Sequence, residues 1–331
     1  MAETTLTARA IRIYEHGGPE VMRFETIEVP PPGAGEVRII QRAIGLNFID
    51  IYQRKGVYPH PGPFPFVPGG EAAGIVESVG PGVTGFAPGD RVGYVLGEGA
   101  YAEVRNAPAA RLVHLPDSIT FEQAAAMLLK GMTAQYLLRR TYRVEPGTTL
   151  LFHAAAGGVG SLFGPWARHL GAVSIGTVGS PAKVAQAKAN GFHHVIDTSS
   201  EDFVARVREI TGGRGVDVVY DSVGKDTFPA SLDCLRPLGL WVTFGNSSGV
   251  VPPFAPGLLA AKGSLFMTRP TLAHYTASHA DLAATAAELF FVVGSGAVTV
   301  TVQNSYALGE AEKAHGDLEG RRTTGATVLL P

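Results

Sequence analysis

The stretch Leu150-Leu151-Phe152-His153-Ala154-Ala155-Ala156-Gly157-Gly158-Val159-Gly160 decides the fold. Three apolar residues run into alanines and glycines, and a helical pattern follows over about 159–170. Read from Ala155, the stretch is AxGxxG, a dinucleotide loop with alanine at its first position. It sits between a strand and a helix, the context such a loop requires. Missing side chains let the backbone approach a pyrophosphate, and the helix starting near Val159 aims its free N–H groups and dipole at that anion. A strand–turn–helix with small residues for packing alone would share the local pattern, so the surrounding rhythm has to arbitrate. Short apolar strands recur at 150–152, 173–175, 195–196, 218–220, 241–244 and 264–267, with helical segments at about 180–190 and 201–211 between the early ones. Such strands, separated by helices, predict a doubly wound parallel sheet of Rossmann type covered on both faces.

The first part of the chain has a different grammar. Residues 8–13 and 36–40 alternate with a period of two, as half-buried strands do, and Pro30-Pro31-Pro32-Gly33 breaks the chain between them. Residues 69–80 read as a strand with glycine at its bends, and 86–92 as a turn entering another strand. A compact antiparallel, barrel-like domain is expected there. Near Thr120 the pattern changes: Thr120 and Gln123 form a capping signature ahead of a helical run over 124–140. After residue 270 come one helix near 281–293 and strands near 298–302 and 327–330, which return to the first domain. The expected division is a β-rich catalytic domain at 1–125 and 270–331, and a dinucleotide domain at 126–269.

A chain of 331 residues is too long for one core, and 45% hydrophobic residues exclude global disorder. The 27 basic and 29 acidic residues leave a formal charge of −2, so no global field favours a polyanion and nucleic acid is not expected as a partner. A single cysteine, Cys234, excludes a disulfide framework and CxxC metal sites. Residues 1–13 do not resemble a signal peptide, and no apolar run is long enough for a membrane span. A cytoplasmic protein is expected.

Cofactor choice rests on the end of the second strand of the dinucleotide fold. Gly179-Ser180-Pro181-Ala182-Lys183 carries no carboxylate for a ribose 2′-hydroxyl. Ser180 can donate a hydrogen bond and Lys183 can pair with a 2′-phosphate, which favours NADPH. The alternative is that Ser180 caps the next helix while Lys183 is a solvated charge. No metal is expected: Gly69-Gly70-Glu71 has glycine where a zinc-binding histidine would stand, and Asn47 stands where a cysteine ligand would. Lys130 interrupts an apolar helix and is either a cleft charge near the cofactor or, as expected here, a helix lysine whose stem snorkels to water.

Asn47-Phe48-Ile49-Asp50-Ile51-Tyr52, the 152–160 loop, Val219-Tyr220-Asp221-Ser222-Val223-Gly224 and Phe244-Gly245-Asn246-Ser247-Ser248-Gly249 together resemble quinone oxidoreductases. These form the zinc-free, zeta-crystallin-like branch of the medium-chain dehydrogenase/reductase superfamily, and the resemblance covers essentially the whole chain. It implies a GroES-like first domain, a homodimer, NADPH as donor and a flat quinone as acceptor. It implies Gly157, Gly158, Val159 and Gly160 at the pyrophosphate, and Gly179, Ser180, Lys183, Thr198 and Arg321 around the adenosine phosphate. Phe48, Ile49, Tyr136, Val223, Phe244, Gly245, Asn246, Ser247, Ser248 and Pro270 are implied along the rest of the cofactor. Asn47 and Tyr52 are the implied catalytic pair, with Asp50, Tyr58 and Tyr136 at the substrate. One departure stands out: Thr198 replaces a tyrosine common in the family, and Asp197 beside it would oppose a 2′-phosphate.

Hydride chemistry asks the protein mainly to align donor and acceptor and to exclude water. Asn47 and Tyr52 are expected to orient the nicotinamide and polarise the quinone carbonyl, with Tyr52 or solvent supplying the proton; the alternative for Tyr52 is a core aromatic whose hydroxyl bonds to backbone. Two alternatives follow from the resemblance: reduction of alkenals or enones, and a non-catalytic NADPH- or RNA-binding protein of crystallin type.

Overall fold

The computed structural model describes residues 4–58, 62–95 and 97–331. In chain order the first strands are β1 Leu6–Ile13, β2 Met22–Val29 and β3 Glu36–Leu46, followed by helix α1 Phe48–Arg54. Strands β4 Glu71–Val79, β5 Arg91–Val95, β6 Val104–Pro108 and β7 Leu112–His114 lead to α2 Phe121–Tyr136. Then β8 Thr149–Phe152, α3 Gly158–His169, β9 Val173–Val178, α4 Val184–Ala189, β10 His194–Asp197, α5 Phe203–Ile210 and β11 Val216–Asp221 alternate. They are followed by α6 Ala230–Asp233, β12 Leu235–Thr243, α7 Gly257–Ala261, β13 Phe266–Thr268 and α8 Leu272–Tyr275. The chain closes with α9 His279–Gly294, β14 Val302–Ala307, α10 Ala311–Glu319 and β15 Ala326–Leu330.

Two compact units result. The first comprises Met1–Lys130, Ala277–Phe290 and Val300–Pro331, the second Gly131–Thr276 and Phe291–Thr299. In the first unit, β14-β15-β3-β4-β5-β7 form one sheet, with β6 also paired to β3. Pairing of β15 with β3, Val328 opposite Gly45, brings the end of the chain back to this unit. The strand expected at 298–302 lies instead at Val302–Ala307, because its register is set by parallel pairing with β15 and not by the apolar run before it. Ile11, Ile39, Ile44, Tyr94, Tyr101 and Leu329 are among the buried residues of its core.

The second unit holds a six-stranded sheet in the order β10-β9-β8-β11-β12-β13, parallel at every pairing. The strand order reverses between β8 and β11, which is where a doubly wound sheet opens a crevice at its carboxyl edge. Its core is assembled from strand residues such as Leu151, Ile175, Ile196 and Val219, closed by Trp241. Among the described residues no helix is long and apolar enough to cross a membrane.

Candidate active site

The loop after β8 is shaped by backbone. Ala154 has φ 59°, a left-handed conformation that costs an alanine roughly 1–2 kcal/mol and turns the chain sharply at the strand end. Gly157 is the N-cap of α3 with no side-chain capping bond, and the first helical hydrogen bond runs from Ser161 N–H to Gly157 C=O. The first-turn N–H groups of Gly158, Val159 and Gly160 are therefore not capped by a side chain and suit an anion. A Cβ on Gly160 would lie 2.4 Å from the Ala155 carbonyl oxygen, so only glycine allows α3 to start this close to the strand.

Around β9 and β10 lie Gly179, Ser180 and Thr198, residues expected at the adenosine phosphate. Ser180 begins the turn Pro181–Lys183 but makes no side-chain capping bond, so capping is not the role of its hydroxyl. Added volume at Gly179 would meet nothing within 4 Å. Thr198 is exposed, and its hydroxyl donates to Val178 C=O at 3.1 Å. Asp197 is buried, with one carboxylate oxygen taking the Ser199 N–H at 3.0 Å and the Ser199 hydroxyl at 2.8 Å. That carboxylate is engaged by its own turn, which weakens its expected opposition to a 2′-phosphate.

Next to the switch point, Asp221 holds the loop after β11 by accepting from Val223 N–H at 2.9 Å and Gly224 N–H at 3.0 Å. A Cβ on Gly245 would come within 2.6 Å of the Ser222 carbonyl oxygen, so the 244–248 loop packs directly on the 222–224 loop. Arg269 fastens it from β13's end, donating to Thr243 Oγ1 and Gly245 C=O, each at 3.0 Å. Tyr136, near the end of α2, is buried and stacked on Tyr275, ring centroids 4.5 Å apart.

In the first unit, Asn47 caps α1, and its side chain is held from two sides. Lys130 Nζ donates to Asn47 Oδ1 at 2.7 Å, and Asn47 Nδ2 donates to Glu71 Oε2 at 2.7 Å. Lys130 does not reach water: it is 7% exposed, and a fully buried Glu71 lies 3.6 Å from its ammonium. The snorkelling expectation fails because a buried carboxylate at this position makes an internal partner available. Asp50, one turn into α1, accepts the Asn47 backbone N–H at 2.9 Å and the Tyr101 hydroxyl at 3.0 Å. Burial pushes Asp50 up to about 7 despite those two donors. Tyr52 packs between Phe48 and Tyr58 at ring distances of 6.2 and 5.1 Å, giving α1 an aromatic face on which Phe48 is exposed and Ile49 half-buried. Arg321, exposed, has φ 56°.

Glu71, Tyr101 and His315 belong to this cluster although sequence reading gave them no role. Glu71 was visible only as the neighbour of a missing histidine, and nothing local marks Tyr101 or His315.

Residues 33–117 match the alcohol dehydrogenase GroES-like domain, and residues 158–290 match the zinc-binding dehydrogenase family. Zinc does not fit the donors present here. Asn47, Gly70 and Glu71 offer neither thiolate nor imidazole, and the ammonium of Lys130 lies against the one carboxylate. Among the described residues no group of three or more His, Cys, Asp or Glu could hold a metal ion. The chain is 52% identical to a quinone oxidoreductase of Pseudomonas aeruginosa over 98% of its length and 100% of the relative. It is 48% identical to a 2-haloacrylate reductase of Burkholderia sp., covering 96% and 98%. The crystal structure of Escherichia coli quinone oxidoreductase complexed with NADPH is similar at 48% identity and TM-score 0.94, covering 98% and 100%.

Proposed function

The chain belongs to the quinone oxidoreductase family, and we propose that it reduces quinones at the expense of NADPH, by hydride transfer and without zinc. The observation that carries this reading is similarity at about half identity over the full length of both chains, supported by a glycine-rich helix start that no side chain caps and by a Ser180 hydroxyl that makes no capping bond. When bound, NADPH supplies the hydride. Gly157–Gly160 offer N–H groups to its diphosphate, and Ser180 and Lys183 take its adenosine phosphate. Gly179 and Thr198 flank that phosphate, and the 222–224 and 244–248 loops with Pro270 line the cofactor further along.

Asn47 is the group expected to act on the substrate. Lys130 and Glu71 fix its amide plane, one Nδ2 hydrogen goes to Glu71, and the other is available to a quinone oxygen. A donor fixed in advance stabilises developing negative charge on that oxygen without reorganising. Tyr52 supplies the second donor, and the Phe48, Tyr52 and Tyr58 rings offer flat apolar surface to a flat acceptor, with Ile49 beside them.

The deciding assay follows NADPH and NADH oxidation with 1,2-naphthoquinone. Turnover with NADPH supports the reading, and NADPH binding without quinone turnover overturns it. A second reading has its own support, since a relative covered over almost its whole length is a 2-haloacrylate reductase. A 2-haloacrylate turned over faster than any quinone would favour it. We also read the chain as a cytoplasmic homodimer. The outer strand β13 leaves Phe266 61% and Met267 39% exposed, apolar surface that a second copy would cover, and light scattering at the mass of one chain would refute this.

A further inference from the structure

Two buried carboxyls and one buried ammonium meet in the first unit: Asp50, Glu71 and Lys130. Glu71 accepts the Leu129 N–H on Oε1 at 2.7 Å and Asn47 Nδ2 on Oε2 at 2.7 Å, with Lys130 Nζ 3.6 Å away. Burial raises Glu71 above the ordinary carboxylate range, but donors on both oxygens and the adjacent ammonium favour its charged form, and the one positive charge lies against it. Among the described residues Asp50 has no ion-pair partner of its own. Its Oδ2 is occupied by Asn47 N–H and the Tyr101 hydroxyl, while the buried Oδ1 has no hydrogen-bond partner among the described residues. A buried carboxyl with one oxygen saturated and the other bare carries its proton on the bare oxygen.

The groups behind Asp50 enforce that polarity. Arg54 can only donate, so its 3.0 Å contact makes His315 Nδ1 an acceptor. Burial and the Arg54 charge hold His315 down at about 3, so the ring is neutral and its hydrogen is on Nε2. That hydrogen points at the Tyr101 oxygen, 2.9 Å away, and leaves the Tyr101 O–H to point at Asp50 Oδ2. Arg54 is itself paired with Glu319 near the surface. Among the described residues, every donor in this run of hydrogen bonds thus aims at Oδ2 and none at Oδ1. Asp50 lines a cavity of about 90 Å³ with Ile49, Gln53, Gly70, Gly97 and Leu129, and Gly97 is exposed. The space has room for water.

We propose that the Asp50 carboxyl stores, on Oδ1, the proton consumed in quinone reduction and releases it through this cavity. The inference rests on the quinone reductase reading above. A hydride brings two electrons and one hydrogen to the quinone and leaves one ring oxygen as an oxyanion. The Oδ1–H bond of Asp50 then breaks, the proton crosses cavity water, and an O–H bond forms on the oxyanion. Asp50 is left as a carboxylate facing Asn47, Tyr101, Glu71 and Lys130, and it regains a proton from solvent on the Gly97 side.

Infrared spectra of the unliganded protein test where the proton sits. The wild type should show the carbonyl stretch of a buried protonated carboxyl that fades as pH rises through about 7, and Asp50→Asn should lack it. In the same variant kcat with quinones should fall roughly 10²-fold or more while NADPH affinity, read by fluorescence, is unchanged. The deficit should shrink across quinones whose hydroquinones are more acidic, since their oxyanions need the proton less. Tyr101→Phe removes a donor to the ionised form, so the fall of kcat at high pH should move to higher pH. Absence of the infrared band below pH 7, or wild-type kcat in Asp50→Asn, would overturn the proposal. A wild type that does not reduce quinones with NADPH refutes the functional reading and the proton's destination with it, whereas the band still reports the protonation of Asp50.

Discussion

A 2.7 Å hydrogen bond joins Lys130 Nζ to Asn47 Oδ1, and the opposite edge of the same amide donates to Glu71 at 2.7 Å. The amide is therefore held in one orientation by a buried ion pair. Removing one member of such a pair leaves the other charge uncompensated, at a cost of about 3–5 kcal/mol. Lys130→Met should accordingly lower stability in urea by roughly that amount at neutral pH, the Glu71 carboxylate being left unpaired. The loss should shrink as pH falls and Glu71 takes up a proton. A deficit independent of pH would mean that the ammonium contributes packing and not charge.

Asp50 makes a separate prediction about stability. Its folded value near 7 lies above the ordinary 3.8, so its contribution is fully present below 3.8 and is lost as pH rises toward 7. Asparagine cannot ionise, so the stability of Asp50→Asn relative to wild type should rise across that window by up to about 1.4 kcal/mol per pH unit. Parallel pH–stability curves would show that Asp50 is already ionised in the folded protein.

Gly160 tests the phosphate loop. A methyl group there meets the Ala155 carbonyl oxygen at 2.4 Å, and that atom is backbone and cannot swing away. Gly160→Ala should cost about 1–3 kcal/mol by overpacking. It should also weaken NADPH binding by displacing the first turn of α3, seen by calorimetric titration. Undiminished affinity would detach this helix start from the cofactor.

Lys183 tests discrimination between the two nicotinamide cofactors. If it pairs with the 2′-phosphate, Lys183→Ala loses a charge-assisted contact worth about 1.5–3 kcal/mol, so KM for NADPH should rise tenfold or more. KM for NADH should barely move. Equal changes for both cofactors would assign Lys183 to a general role.

The parallel-sheet unit was legible in the chain because its signals are local. Apolar runs at 150–152 and 218–220, the AxGxxG loop and the Thr120–Gln123 capping box each act within a few residues, and the structure contains all of them. What stood on isolated residues was decided by the fold. Lys130 read as a helix lysine snorkelling to water until Glu71 and Asn47, 59 and 83 positions away, were brought to its ammonium. Tyr101 is 51 residues from Asp50 and 214 from His315, so no periodicity could announce the chain of donors that ends on Asp50. The sequence by itself determined the sheet, the phosphate loop and the missing zinc ligands, because those depend on residue type and near neighbours. Only the tertiary structure decided which carboxyl keeps a cation and which keeps a proton, because that choice depends on burial and on donors supplied from distant parts of the chain.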